Sequence, residues 1–208
     1  YFREPTLEPM PNRVVDRIAE TGLADAIPLH LRVIARGHRS GGTPLEYLEL
    51  RRLDSADGRA FALLGEGVLG AAAGRALGAG VGDHGLSSPA GAFEIAGSFP
   101  LKMAVVGVLG SSGSADDDAV FVDLKTAWVI AGLAHGHTDV TAPGAGDGVL
   151  AVEGDTVVAT ASVLSNTEIT ADNIASFHLH GAVDDFPVDS MIAVPHDRKS
   201  GVVLRGRF

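Results

Sequence analysis

Apolar and polar residues alternate most regularly in the stretch IPLHLRVIA, residues 27–35. The aliphatic side chains fall on one face of this stretch, whereas His30 and Arg32 fall on the other. A period of two residues is typical of a β-strand that buries one of its faces. We therefore predict a half-buried strand over 27–35, with the aliphatic face packed inward and His30 on the polar face.

Apolar residues also recur at helical spacing in two places. The first contains Val14, Val15, Ile18 and Ala19, for which Asn12 is a candidate N-cap and Gly22 would end the helix. In the second, the stretch LKTAWVIAGLAHG predicts a helix over 124–136 that Gly136 ends. The stretch LEYLEL, residues 45–50, fits a strand or a short helix. Further strands are predicted at 60–64, 101–109, 119–124 and 155–164, and in the late runs FHLHG, SMIAV and GVVL.

The spacing of these elements predicts two lobes in an α+β fold. Gly41-Gly42 and Leu124-Lys125 flank a block of short elements that is rich in turn residues. Strand 27–35 has no strong partner before residue 43, and an isolated strand leaves its backbone groups unpaired. We therefore expect its partner from beyond residue 125. A small α/β lobe, 44–124, would then be inserted in a larger lobe made of 1–43 and 125–208, with both termini at one end.

Composition and charge narrow the function. The 208 residues are 46% hydrophobic and 20% charged, which is typical of a folded globular chain. The formal net charge of -10 argues against a nucleic-acid partner and disfavours docking on an anionic lipid surface. The sequence has no cysteine, so thiol chemistry and cysteine-ligated zinc are excluded. No apolar run reaches the roughly 18–20 residues of a membrane-spanning helix.

The stretch GEGVLG, residues 65–70, fits the dinucleotide-binding fingerprint G-x-G-x-x-G. The fingerprint requires a strand before it, a full helix after it and an acidic residue about 20 residues further on. The run 60–64 is a candidate strand, but a helix over Ala71–Leu77 has only about two turns before Gly78. No acidic residue follows at a strand end. We therefore predict a strand, a tight turn and a short helix, without a bound nucleotide.

Two H-x-H pairs raise the question of a metal site. On a strand, residues i and i+2 point to the same side, so His178 and His180 could reach one ion. A catalytic zinc needs a third protein ligand, and the sequence contains no H-E-x-x-H. The sequence leaves a metal at this pair open. His135 and His137 flank Gly136 and are interpreted as a helix C-cap that interacts with the helix dipole.

The stretch SSGSADDD, residues 111–118, contains three adjacent aspartates. A calcium loop needs alternating ligands and a distant bidentate Glu, so a solvated turn is the better interpretation. No G-x-S-x-G nucleophile elbow is present. We therefore predict no catalytic, cofactor or metal residue, and a protein that is not an enzyme.

The order of several motifs between about 43 and 130 is more informative than any one of them. GGTPLEYLELRRL precedes a Gly-Arg pair, the glycine-rich unit and the stretch LKMAVVGVLGSSGSADDDAVFVDL. This ordered set resembles the extracytoplasmic core of MacB-type permeases, in the FtsX-like superfamily of ABC transporters. The positions that match the family pattern are Thr43, Tyr47, Gly58, Arg59, Leu69, Gly70, Gly82, Asp83, Val105 to Leu109, Asp118 and Phe121 to Leu124.

The resemblance implies a function in transport and no catalysis by these residues, which form turns and core in the family. Such a permease lies in the cell inner membrane, with this domain periplasmic between the first and second of four membrane helices. The resemblance also implies the same two lobes, a porter-like α/β lobe near the membrane and a smaller distal α/β lobe. A separate cytoplasmic ATP-binding subunit or domain hydrolyses ATP, and the extracytoplasmic domain transmits the cycle outward. Further implied partners are a second permease protomer and a periplasmic adaptor or lipoprotein. We therefore expect one membrane helix before Tyr1 and three after Phe208.

Two alternatives remain at this stage. One is a nicotinamide-dependent oxidoreductase that uses the GEGVLG loop, and the other is a stand-alone extracytoplasmic binding module. The first would bind cofactor and would show a longer helix after Gly70, whereas the second would carry its own signal peptide. The sequence alone does not identify a substrate.

Overall fold

The computed structural model of the protein describes residues 8–35, 37–89, 101–136, 149–153, 156–159, 168–179 and 181–207. The helices of this part of the chain are α1 (Arg13–Ala19), α2 (Leu45–Arg51), α3 (Ala71–Leu77), α4 (Leu124–Ile130) and α5 (Arg198–Arg207). Among the residues so described, no helix is long and apolar enough to cross a membrane.

The strands are short, apart from the second and the seventh. They are β1 (Met10–Pro11), β2 (Ala24–Ala35), β3 (His38–Gly42), β4 (Ser55–Gly58), β5 (Glu66–Leu69), β6 (His84–Pro89), β7 (Lys102–Leu109), β8 (Val120–Val122), β9 (Ala134–Gly136), β10 (Val149–Glu153), β11 (Thr156–Ala159), β12 (Phe177–Leu179), β13 (Pro187–Val188) and β14 (Ser190–Pro195). Single turns of 3₁₀ helix lie at Ala115–Asp118, Ile174–Ser176 and Val183–Asp185.

Most of these strands belong to one mixed sheet of eight strands. Its order is β14-β2-β3-β8-β5-β7-β4, and β6 pairs with both β2 and β7. The pairs β3–β8 and β5–β7 are parallel, and the other pairs of the sheet are antiparallel. The pairs β1–β13, β9–β12 and β10–β11 are separate two-stranded ladders. The mixed sheet with flanking helices confirms the predicted α+β class.

Strand β2 pairs with two different parts of the chain. Its first half pairs with β14, from Ala24↔Pro195 to Leu29↔Ser190, as expected for a partner beyond residue 125. Its last residues, Val33 to Ala35, pair with β6, which lies within 44–124. The expectation that the partner comes only from beyond residue 125 is therefore wrong. One sheet runs through both predicted lobes, because β3, the neighbour of β2, also pairs with β8.

The sheet is covered on both faces. Val33, Leu69, Val122 and Ile130 belong to the larger apolar cluster, which packs α3 and α4 on one face. The neighbouring residues on the strands point the other way, and Val68, Phe121 and Leu48 of α2 belong to a second cluster. Adjacent strand residues alternate between faces, so β5 and β8 are buried on both sides.

The first and last described helices share a smaller cluster. Ile18 of α1, Ala24 of β2 and Leu204 of α5 are its buried members. This group is called the terminal cluster below. It places α1 and α5 on the part of the sheet formed by β2 and β14.

Several predicted elements are confirmed. The helix after Asn12 ends before Gly22, whose φ is +63°. LEYLEL forms a helix, and 101–109 and 119–124 contain strands β7 and β8. Of 155–164, the described part forms β11. The Asn12 side chain makes no capping bond, and its backbone oxygen accepts from Val15 N at 2.8 Å instead.

Three predicted elements are wrong. Residues 60–64 form no strand, since the strand begins at Glu66. The helix predicted over 124–136 ends at Ile130, because the chain turns at Gly132, with φ +79°, into β9. GVVL is helical within α5 rather than a strand, because its neighbours carry the helix and only Gly201 and Leu204 pack inward.

Replacing Gly42 with Ala should destabilise the fold. A Cβ atom at Gly42 would overlap the Cβ of Ala127 and approach the Cβ of His30 to 3.4 Å, so β3 and α4 would have to separate. We expect the free energy of unfolding to fall by about 2 kcal/mol, as in other overpacked cores. Urea unfolding followed by circular dichroism measures this.

Gly85→Ala is the matched control. Gly85 also lies in a strand, and a Cβ there would meet nothing within 4 Å. The free energy of unfolding of this variant should differ from that of the wild type by less than about 0.5 kcal/mol. Equal losses in the two variants would show that the β3–α4 contact is not close-packed.

Candidate functional site

The GEGVLG residues form a strand rather than a phosphate-binding loop. Glu66–Leu69 is β5, buried throughout between parallel β7 and antiparallel β8. Gly65 has φ +85°, which favours glycine, whereas Gly67 has ordinary room for a Cβ, 3.5 Å from Val122 Cγ1. The turn geometry and packing of a sheet therefore explain the glycines of this motif.

The N-terminus of α3 is covered by another part of the chain. Gly70 precedes α3, and a Cβ on it would overlap the backbone carbonyl oxygens of Asp116 and Asp117. Gly70 N donates to Ala119 O at 2.8 Å. A pyrophosphate at a helix N-terminus needs free N–H groups and a positive surrounding. Backbone carbonyl oxygens of Asp116 and Asp117 occupy that place here, and α3 has 7 residues.

The aspartate-rich stretch is a self-contained turn. Asp117 accepts hydrogen bonds from Ser112 N at 2.7 Å, Ser111 Oγ at 2.7 Å and Gly113 N at 3.1 Å. These bonds, the Ser112 backbone first, lower the pKa of Asp117. Within the described residues, no three His, Cys, Asp or Glu side chains are grouped as metal ligands would be.

Asp116 is used differently, as an anchor for α2. Tyr47 Oη donates to its Oδ1 at 2.8 Å and Arg51 Nε to its Oδ2 at 2.9 Å. Burial alone would raise the pKa of Asp116, but the bonds from Tyr47, Arg51 and Ser114 outweigh it and lower the pKa. Burial and Asp116 raise the pKa of Tyr47 to about 12. A phenol with this pKa stays protonated, so Tyr47 is a structural donor and not a general base.

One histidine of each pair lies on one of two neighbouring strands. His178 in β12 is directly opposite His135 in β9, so His135 is in a strand and does not cap a helix as predicted. His178 is exposed, and its Nδ1 lies 3.1 Å from Ser176 O. His137 and His180 lie outside the described residues.

Asp189 forms a junction with the middle of β2. It is 4% exposed, and its Oδ2 accepts from Leu31 N at 2.7 Å while its Oδ1 accepts from Arg32 Nε. Asp189 N donates to Leu29 O at 2.8 Å. The pairing of β2 with β14 ends at Leu29, and pairing with β6 begins at Val33. Asp189 therefore supplies acceptors where β2 passes from one partner to the other.

His30 lies inside this junction and not on a polar face as predicted. It is 1% exposed, whereas Leu31 is 39% exposed, so the sequence alternation is inverted here. The cause is α4, which packs on the His30 side near Gly42, together with an irregularity in the β2–β3 register after His30. His30 Nδ1 lies 3.6 Å from Asp189 Oδ2. Burial lowers the pKa of His30, although Asp189 opposes the shift.

The sequence contained a signal for Asp189 that the pattern analysis missed. Asp189 is the one charged residue in the stretch FPVDSMIAV, residues 186–194. A carboxylate within an apolar run is rarely buried unless it is paired and hydrogen-bonded. It therefore indicates a structural acceptor between two strands.

An open cleft of about 560 Å³ lies on the Leu31 side of β2. Its lining includes apolar Leu29, Leu31 and Phe121 and polar Tyr47 and Asp116. Clefts of this size hold small molecules when a few free polar groups converge in them. Here Asp116 is already bonded to Tyr47 and Arg51.

The residues that carry the sequence resemblance come together around β5, β7 and β8. Thr43 Oγ1 donates to Pro28 O at 3.2 Å, and the Tyr47 and Phe121 rings lie 5.7 Å apart. Arg59 Nη1 donates to Glu66 Oε2 at 2.7 Å. The Arg59 bond lowers the pKa of Glu66 to about 2 despite partial burial. Each of these residues thus makes a contact within the fold.

The protein is similar in structure to extracytoplasmic domains of permeases. The periplasmic region of MacB from Actinobacillus actinomycetemcomitans has a TM-score of 0.42 and 13% identity, with 60% of this chain and 59% of that chain covered. The extracellular domain of the noncanonic ABC-type transporter YknZ from Gram-positive bacteria has a TM-score of 0.41 and 16% identity, with 58% and 65% covered. A domain of a protein described as a permease from Porphyromonas gingivalis has a TM-score of 0.39 and 14% identity, with 59% and 56% covered.

The chain spans less than two thirds of the length of each of these structures. No protein-family model matches the sequence, and no curated protein does.

We expect the chain to bind neither NAD nor ATP. The covered N-terminus of α3 and the nearby Asp116 and Asp117 leave no place for a pyrophosphate. Isothermal titration calorimetry should detect no binding of either nucleotide. Micromolar binding that Gly67→Val abolishes would contradict this and restore the oxidoreductase alternative.

Stability should fall in mild acid because of His30. Its pKa is lowered in the folded chain, so the unfolded chain binds the proton more tightly, and folding weakens as the pH drops below about 6.5. Between pH 7.5 and 5.5 the wild type should lose about 1 kcal/mol more than His30→Leu, which has no such proton. Urea unfolding at each pH measures the difference.

His178→Gln is the control, because His178 is exposed on β12. It should keep the pH dependence of the wild type. If His30→Leu also keeps it, His30 is not buried in its neutral form.

Proposed function

We propose that this chain is the extracytoplasmic domain of an ABC transporter permease. In this proposal, a separate cytoplasmic subunit hydrolyses ATP, and the domain couples that cycle to transport or release outside the cytoplasm. The observation that carries the proposal is the ordered motif set of 43–130, whose members pack into one unit with structural roles. Thr43, Tyr47, Arg59 and Phe121 are examples.

The coupling is supported by the course of β2. A strand of 12 residues spans about 40 Å at about 3.3 Å per residue. It starts in the terminal cluster at Ala24 and ends at Ala35 in the larger apolar cluster, which contains Val33 and Val122. The strand is hydrogen-bonded first to β14, then to Asp189 and then to β6. A displacement of α1 and α5 is therefore carried along β2 into the sheet.

The proposed lobes share this strand. Residues 1–43 and 125–208 form the lobe near the membrane, supported by the pairing of β2 with β14. Residues 44–124 form the distal lobe, and β3 and β6 tie it to β2. We therefore infer that the two lobes move as one body. Helices α1 and α5 meet in the terminal cluster, which suits chain ends that continue into the inner membrane from one side.

The experiment first tests which side of the membrane the domain occupies. In the full-length protein without native cysteines, Leu63→Cys should react with a membrane-impermeant maleimide added outside spheroplasts, because Leu63 is 57% exposed. Val33→Cys is the control and should react only after denaturation, because Val33 is 0% exposed. Labelling of Leu63→Cys only after lysis would place the domain in the cytoplasm and refute the proposal.

The same complex tests the coupling. Spin labels at Leu63→Cys in two protomers should change their separation between the nucleotide-free and ATP-bound states. Labels at Leu63→Cys and Val202→Cys, two exposed sites, should keep their separation within one chain if the domain moves as one body. A constant separation between protomers, or a changing one within the chain, would contradict rigid-body coupling.

A further inference from the structure

Helix α5 concentrates positive charge in an acidic protein. Arg198, Lys199, Arg205 and Arg207 lie on its 10 residues, which include no Asp or Glu. The whole chain has a formal net charge of -10. Charge is therefore distributed unevenly, and α5 is a local exception to the anionic surface.

Packing fixes which face of α5 is turned outward. Leu204 belongs to the terminal cluster, and a Cβ at Gly201 would lie 3.3 Å from Pro195 Cγ. These two residues are the buried ones. Val202 is 59% exposed and Val203 is 37% exposed, so two aliphatic side chains face solvent beside the cations.

The cations of α5 form no ion pair within the part of the chain that the structure describes. Asp197, the adjacent carboxylate, accepts from Ser200 N at 2.7 Å and thereby caps the helix. Helix α5 thus leaves its cations to solvent.

Helix stability does not explain this arrangement. Arg205 and Arg207 near the C-terminus would interact favourably with the helix dipole. Arg198 and Lys199 are in the first turn, where a cation opposes the dipole. The dipole therefore accounts for Arg205 and Arg207 but not for Arg198 and Lys199.

We propose that the outer face of α5 docks on an anionic phospholipid surface. Lys and Arg side chains are attracted to anionic headgroups, and the exposed Val202 and Val203 lie beside them, where they would be buried at the same interface. The docking surface rests on the proposed function for its setting, since that function places the domain beside a membrane. It orients the domain by holding the terminal cluster against the bilayer.

Nucleic acid is a poorer partner for the same cations. It would require a wider basic surface, whereas the rest of this chain carries an excess of acidic residues. Exposed valines add nothing to phosphate binding, but they add to burial at a bilayer interface.

The test is co-flotation of the 208-residue chain with vesicles. One set is phosphatidylcholine, and the other contains about one third phosphatidylglycerol, at low salt. We expect binding to the anionic vesicles alone, and its loss at about 0.5 M salt, where charges are screened. Each cation near such a surface gives about a fivefold change, so Arg205→Gln with Arg207→Gln should weaken partitioning about 25-fold.

The matched control is Arg75→Gln with Lys125→Gln, which removes the same charge from two exposed sites away from α5. It should change partitioning less than about twofold. Val202→Ser distinguishes docking on a bilayer from binding of a free anion. It should weaken vesicle binding and should not affect binding of inorganic phosphate.

Three outcomes would overturn the docking surface: equal binding to both kinds of vesicle, no binding to either, or equal losses in the two double variants. The assay needs no ATP-binding subunit. A chain that binds anionic vesicles but is labelled only from the cytoplasm would keep this inference and refute the proposed function, and the reverse result would do the opposite.

Discussion

The structure depends on how the backbone of β2 is satisfied along its whole length. A strand inside a sheet must pair its N–H and C=O groups on both edges, since an unpaired buried group is costly. No single partner of β2 is long enough, so β14 pairs with one half and β6 with the end. The carboxylate of Asp189 accepts from Leu31 N between them. A side chain thus completes a ladder that strands alone leave open.

This constraint connects the fold to the proposed function. The larger apolar cluster and the terminal cluster lie at opposite ends of one strand, β2. An ion-paired and buried Asp189 is stable only while its partners stay in place, because a buried carboxylate without them is expensive. The junction therefore favours movement of the domain as one body over bending at β2. The apolar cleft on the Leu31 side lies beside this rigid part of the strand.

The sequence predicted the elements whose patterns are local. The strands at 101–109 and 119–124 and the short helix after Gly70 follow from periodicity and turn residues. The burial of His30 did not, because it depends on α4, almost a hundred residues away, and on a register irregularity in β2. The glycines of GEGVLG are compatible with a phosphate-binding loop. The close approach of the Asp116 backbone explains the glycine at position 70 equally well. Non-local packing decided each of these cases.

The pairing of β2 with β14 also has a consequence for synthesis. Leu29 and Ser190 are partners although about 160 residues separate them. At about 5–20 residues per second, the first half of β2 emerges roughly ten to thirty seconds before its partner strand exists. During that interval an unpaired edge with aliphatic side chains is open to aggregation. Folding of the nascent chain is therefore completed late, and protection of this strand by a chaperone would matter most before residue 190 appears.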